Sequence, residues 1–262
     1  MRVGNGAWSQ RQLDVYGELL SAARRLRDQL GSLDQVTTDF LVEVADTAAE
    51  QWEETDQGIW EVRGEPRHFL YSKLMCWVAL QSAIDLAEQL CAADRVATWE
   101  RTRERIREAI ETLGWSQSTG AFTQSFGSDE LDASALMLPI VGFLPGTDAR
   151  VRSTIDAIDV RLTDARGLVY RYRSHDGLEG EEGTFLICTF WLAQALAEAG
   201  ELDRARMKFE QAIAYANDVG LLSEEVDPRS GELLGNFPQA FSHIGLVNAA
   251  WAISQAERAA AG

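Results

Sequence analysis

Cysteine, histidine and positive charge are all scarce in this chain, and each scarcity removes a class of function. Three cysteines, Cys76, Cys91 and Cys188, lie far apart in 262 residues and two of them sit in apolar runs. Reduced, buried thiols are therefore expected, and a disulfide framework is not. Three scattered histidines, with no HExxH and no CxxC spacing, do not make a zinc site, and no metal or other cofactor is expected. Only 24 lysines and arginines stand against 41 acids, giving a formal charge of −17. Nucleic acids and anionic membranes both need a basic footprint, so neither is expected as a partner. No apolar run reaches the roughly 18 residues of a membrane span, and the N-terminus has no apolar signal region. The expectation is a soluble cytoplasmic protein. A phosphate-cradling glycine loop with its lysine is missing, as is a GxSxG elbow, which leaves phosphoryl transfer and serine hydrolysis of those kinds unsupported.

What is present is enough apolar residue, 46%, for a proper core, in a length that suits one large domain or two ordinary ones. Residues 9–30 carry Leu13, Tyr16, Leu19, Leu20, Ala23, Leu26 and Leu30 at helical spacing. Residues 35–52 repeat the pattern with Phe40, Leu41, Val44, Ala48 and Trp52, while Asp39, Glu43, Asp46 and Glu50 form a solvated acidic face. Residues 68–90 are apolar on much of the helix surface, as expected of a helix enclosed by others. Beyond them, charged amphipathic segments (94–112, 148–161, 201–217) alternate with mostly apolar ones (130–144, 184–199, 238–256).

Loop lengths alternate in step. Connections entering the enclosed helices (53–67, 113–128, 162–182, 219–237) are long, and those leaving them are about one to four residues, against a usual median of about 4 to 6. The simplest architecture is a ring of helical hairpins, inner helices surrounded by outer ones, with a functional mouth built from the long loops. Strand content is minor, with Leu168 to Arg173 alternating as a short strand or hairpin arm. An open solenoid is the competing architecture, because Ala195 to Ala205 reads like a tetratricopeptide-type turn, but no 34-residue period holds elsewhere.

Two loops concentrate candidate chemistry. Asp56-Gln57-Gly58-Ile59-Trp60-Glu61-Val62-Arg63-Gly64-Glu65-Pro66-Arg67-His68-Phe69 packs a ring, acids, arginines and a histidine between two helices. Leu222-Ser223-Glu224-Glu225-Val226-Asp227-Pro228 is the second. Carboxylates beside aromatic rings in loops are the composition a glycosidase uses. An inverting one needs a protonated acid at the glycosidic oxygen and an ionised base holding water on the opposite face, about 6.5 to 9.5 Å away.

The whole chain resembles the C-terminal part of the catalytic domain of glycoside hydrolase family 15, the glucoamylase, glucodextranase and bacterial trehalase group. The resemblance rests on Gly58-Ile59-Trp60-Glu61, on Arg171-Tyr172 followed by Gly183-Thr184-Phe185-Leu186, on Leu222-Ser223-Glu224-Glu225, and on Asn236-Phe237-Pro238-Gln239-Ala240-Phe241-Ser242-His243. It implies an all-α fold, the (α/α)6 barrel or six-hairpin toroid, and inverting hydrolysis. Glu61 resembles the general acid and Glu224 the general base, with Glu225 as rival, the two facing across a sugar-sized pocket. Trp60, Arg63, Arg171, Glu225 and Phe241 match substrate-binding positions. Each assignment has a plainer alternative: a bond from Arg63 or Arg67 for Glu61, a loop acid for Glu224, core packing for Trp60, and a salt bridge within its own loop for Arg171. Phe241 stands where some members carry tryptophan, and His243 reads as a satisfied core histidine.

About nine helices are counted where the family ring has twelve, and the family's Trp-Leu-Arg-Asp or Trp-Pro-Arg-Asp motif is missing. The expectation is a single catalytic domain over 1–262, N-terminally truncated, starting in a linker from Met1 to Gly6. Apolar surface exposed on the first and last helices, and self-association through that open flank, follow from this. The expected function is an inverting α-glycosidase of the glucoamylase type, releasing glucose from a maltooligosaccharide. The alternatives are an α,α-trehalase of the same family, acting on trehalose, and a truncated inactive remnant serving at most as a helical binding scaffold.

Overall fold

The computed structural model describes residues 6–173 and 182–261. The start of the expected linker, Met1 to Asn5, lies outside them. The chain divides into two compact units: residues 6–115 with 125–128, and residues 116–124, 129–173 and 182–261.

The first unit is built around one enclosed helix. Helices α1 (Asp14–Leu30), α2 (Gln35–Gln51) and α4 (Val96–Leu113) all pack on α3 (Leu70–Asp85), thirteen of whose 16 residues are buried. Gly17 lets α1 approach closely, since a Cβ there would lie 2.2 Å from the Met75 carbonyl oxygen. Asp34 caps α2, its carboxylate accepting from the Thr37 N–H at 2.8 Å. From α4, fully buried Trp99 donates its indole N–H to Asp46 Oδ1 at 2.9 Å, tying α4 to α2.

Helical periodicity places α3 to residue 90, and the structure ends it at Asp85. Residues 86–95 continue in tight turns, with Leu90 N–H on Leu86 O and Ala92 N–H on Ala87 O, closed by Cys91 in the left-handed region (φ 51°). Local helical spacing thus persists after the regular helix stops, and the connection is longer than the expected one to four residues. It also leaves Cys91 exposed, which corrects the expectation of three buried thiols; Cys76 and Cys188 are free and buried.

The second unit has α7 (Leu186–Glu198) at its centre, packed by α8 (Leu202–Ile213) and α9 (Ala240–Ala261). Leu186, Phe190 and Ala193 of α7 meet Ala212, Leu222, Val226, Leu168 and Ala249 in one fully buried cluster. The turn from α7 to α8, read as tetratricopeptide-like, is closed by Gly200 (φ 78°) with Glu201 N–H on Leu196 O. Before these come α5 (Met137–Ile140) and α6 (Ala149–Arg161). A full helix over 130–144 does not form: a 3-10 turn, Ala133–Leu136, runs into the four residues of α5. Pro139 lacks an N–H and Gly142 (φ 76°) turns the chain away. Strand content is small, as expected. Thr184–Phe185, Glu225–Val226 and Leu233–Leu234 form a three-stranded antiparallel sheet, pairing Phe185 with Glu225 and Glu225 with Leu234. Residues 168–173 contribute isolated bridges through Val169 and Tyr172.

Large apolar side chains are exposed on both terminal helices. They are Val15, Leu19 and Leu26 on α1, and Phe241, Ile244, Val247 and Trp251 on α9. No helix among the described residues is long and apolar enough to cross a membrane.

Candidate active site

In the first unit, the Glu61 loop is pinned at its base by reciprocal backbone bonds between Asp56 and Arg67, at 3.1 and 2.9 Å. Gly58 (φ 67°) lies against the Phe69 ring, where a Cβ would come within 2.9 Å. The tight turn that follows closes with Glu61 N–H on Gly58 O at 3.1 Å and Val62 N–H on Gln57 O at 3.0 Å. Glu61 itself takes a left-handed conformation (φ 53°), one of two non-glycine residues with positive φ among those described. Such a conformation costs roughly 1–2 kcal/mol for an L residue and persists only where its surroundings hold it. Trp60 and Glu61 are half-buried, and Arg63 is exposed.

Below the loop lies a polar cluster inside an apolar helix packing. Asp56 is fully buried, its Oδ2 accepting from Ser72 Oγ at 2.6 Å and from Leu13 N–H at 3.2 Å. Burial pushes its carboxyl up, opposed by those hydrogen bonds and by the Lys73 charge. Lys73 is fully buried and donates to the Glu54 carbonyl. Burial pulls the ammonium down, while Cys76, Asp56 and Glu54 act the other way. The apolar spacing of 68–90 does not single out Ser72 and Lys73. The available signal was a lysine on a helix with no polar face to put it on.

In the second unit, Glu224 is the bend just before the strand that Glu225 opens, and the two carboxylates take different partners. Asn236 donates twice to Glu224 Oε2, from its backbone N–H and its Nδ2, both at 2.9 Å. Gly235 (φ 72°) makes room, since a Cβ there would sit 2.7 Å from the same oxygen. Glu225 Oε2 instead accepts from the Gly183 N–H at 3.1 Å. Burial pushes the Glu225 carboxyl up, and the Arg171 charge and that hydrogen bond pull it back. Arg171 lies over Phe185 (4.6 Å) and Tyr172 (5.2 Å), and forms the ion pair within its own loop, with Glu182.

The structure thus brings Arg171, Glu224 and Glu225 into one neighbourhood of the second unit and sets Trp60 and Glu61 on one turn of the first. Phe241, in the first turn of α9, is 64% exposed. His243, expected as a satisfied core histidine, is satisfied but only half-buried: Nε2 accepts from Leu222 N–H (3.3 Å), so the proton sits on Nδ1 and is donated to Gln239 O (2.7 Å).

The chain is 44% identical to a Mycobacterium tuberculosis trehalase over 263 residues, covering 99% of this chain and 38% of that protein. It is 38% identical to a Thermoplasma volcanium trehalase over 256 residues, covering 98% and 41%. The chain therefore spans less than half the length of these relatives. Among solved structures, a glycosidase in complex with glucose superposes with a TM-score of 0.80 at 22% identity, covering 97% of this chain and 70% of that one. A bacterial glucoamylase complexed with acarbose gives 0.79 at 17%, covering 95% and 41%. The fold is accordingly that of the glucoamylases, the (α/α)6 barrel. The sequence profile of the glycosyl hydrolases family 15 matches residues 1–251, and the chain belongs to that family.

Proposed function

We propose that this chain carries the acid and base of an inverting α,α-trehalase. The carrying observation is the 44% identity to a trehalase along 99% of the chain. The glucoamylases among the solved structures match at 15–17% identity, which speaks for fold alone, so the glucoamylase reading, placed first on sequence motifs, gives way to the trehalase alternative.

In this reading Glu61 protonates the oxygen between the two glucose units. Glu61 stands beside Ile59 and Trp60 on a turn closed by its own N–H on Gly58 O. Glu224, held by the two Asn236 donors, removes a proton from the attacking water. The water oxygen bonds to one anomeric carbon as the bridging C–O bond breaks, and Glu61 delivers the proton that the leaving glucose needs. One glucose is released with inverted, β configuration and the other retains α. Arg171, Glu225, Trp60, Arg63 and Phe241 bind the sugar hydroxyls and ring faces, Glu225 in place of a second base.

Glucose release from trehalose and, separately, from maltooligosaccharides tests this, with anomers followed by proton NMR. Trehalose is expected to yield equal α- and β-glucose at first, and Glu61→Gln and Glu224→Gln each to lower kcat by about 10²–10⁴-fold. Faster cleavage of maltooligosaccharides would restore the glucoamylase reading. Folded protein inert on both sugars would favour the inactive remnant.

A further inference from the structure

The segment entering α1 runs along the Glu61 loop. Leu13 N–H reaches Asp56 Oδ2 at 3.2 Å. Arg11 and Gln57 exchange a pair of bonds, Arg11 N–H to Gln57 Oε1 at 3.2 Å and Gln57 N–H to Arg11 O at 3.4 Å. Gln10 Nε2 donates to the carbonyls of both Glu61 and Val62 at 3.3 Å. Farther along, a Cβ on Gly6 would lie 4.0 Å from the Arg63 guanidinium carbon. The segment is itself anchored. Gln10 N–H bonds to Ala7 O at 2.9 Å, Arg11 Nη2 donates to Gln51 Oε1 at the end of α2 at 2.9 Å, and Leu13 is fully buried.

These bonds hold the backbone of Glu61 on both sides. The peptide plane before it is held by its own N–H on Gly58 O at 3.1 Å. The plane after it is held at both edges, the Glu61 carbonyl by Gln10 and the Val62 N–H by Gln57 O at 3.0 Å. A peptide unit is rigid, so fixing two successive planes fixes φ and ψ of the residue between them, and with them the direction in which its side chain leaves the backbone. That hold matters for a residue in the left-handed region (φ 53°), a conformation that persists only where its surroundings over-determine it. Both atoms that Gln10 Nε2 meets are acceptors, so the position calls for an N–H donor on a side chain of this reach. We propose that Gln10 is a positioning residue for Glu61, fixing the strained turn so that the acid is presented to the glycosidic oxygen. The inference rests on Glu61 being that acid.

Two measurements on the full chain test this, both on Gln10→Met, which keeps the length of the side chain and removes its donor. Amide hydrogen exchange at Glu61 and Val62, read by NMR, should quicken about fivefold, the worth of roughly one hydrogen bond, while amides inside α3 keep their rates. Trehalose kcat should fall about tenfold, a fraction of the 10²–10⁴ that a positioned proton donor supplies. Hydrolysis of α-glucosyl fluoride should hardly change, because fluoride departs as the anion without a proton from Glu61. A general loss of order slows both substrates alike, so equal losses overturn the proposal, as does unchanged exchange at both amides. Glu61→Gln, run alongside, should lose trehalose turnover and spare the fluoride. With that control selective and Gln10→Met not, the proposal falls and the acid assignment stands. With the control unselective, or the parent chain inert on both substrates, the acid assignment falls and takes the proposal with it.

Discussion

At the scale of single residues, the first candidate loop depends on backbone shapes that side-chain chemistry alone would not suggest. Gly58 has φ 67° and the Phe69 ring 2.9 Å from where a Cβ would be. Gly58→Ala therefore meets both a conformational penalty and a clash, and should cost about 1–3 kcal/mol. Urea unfolding checks the cost. Because Glu61 N–H bonds to Gly58 O, trehalose kcat is expected to fall further than stability alone explains, while an unchanged kcat would separate that turn from catalysis. The motif Gly58-Ile59-Trp60-Glu61 was legible in the sequence because four adjacent residues carry it. Lys73 was not, because burial decides its chemistry, and burial is a property of how α1 and α3 meet.

At the scale of elements, the α1–α3 crossing is where close packing is least forgiving. The Cβ position of Gly17 falls 2.2 Å from a backbone oxygen of α3, so nothing flexible can give way. Gly17→Ala should push the helices apart and destabilise the chain, although alanine is the better helix former by about 1 kcal/mol. A higher urea midpoint for this variant would contradict the contact. Amphipathic and enclosed helices were readable from period 3.6 throughout, and all nine expected segments contain helix. Their ends were not. Residues 9–13 keep helical spacing, yet α1 begins at Asp14, because Gln10, Arg11 and Leu13 spend their polar groups on the 56–62 loop. Residues 130–144 look like one helix until Pro139 and Gly142 are given their backbone requirements. The apolar faces of α1 and α9 were expected, and Val247 and Trp251, exposed on α9, are large enough to matter for solubility.

At the scale of the whole molecule, the acid excess of 41 over 24 is spread on a chain whose two compact units each hold an enclosed helix, α3 and α7. Each of those helices carries one buried cysteine, Cys76 in the first unit and Cys188 in the second, while Cys91 is exposed. Burial pushes the Cys76 thiol up to about 12 and also raises the Cys188 thiol well above the ordinary thiol range, so neither is an attacking thiolate in the native state. The folded chain should accordingly react with one equivalent of a maleimide at neutral pH, and a second equivalent within minutes would mean a native opening near one of the buried thiols. With Cys91 blocked in advance, the two remaining sulfurs become internal clocks, one ticking for each unit. Their alkylation rates in rising urea, read by peptide mass, tell whether the two cores open in one event or in succession.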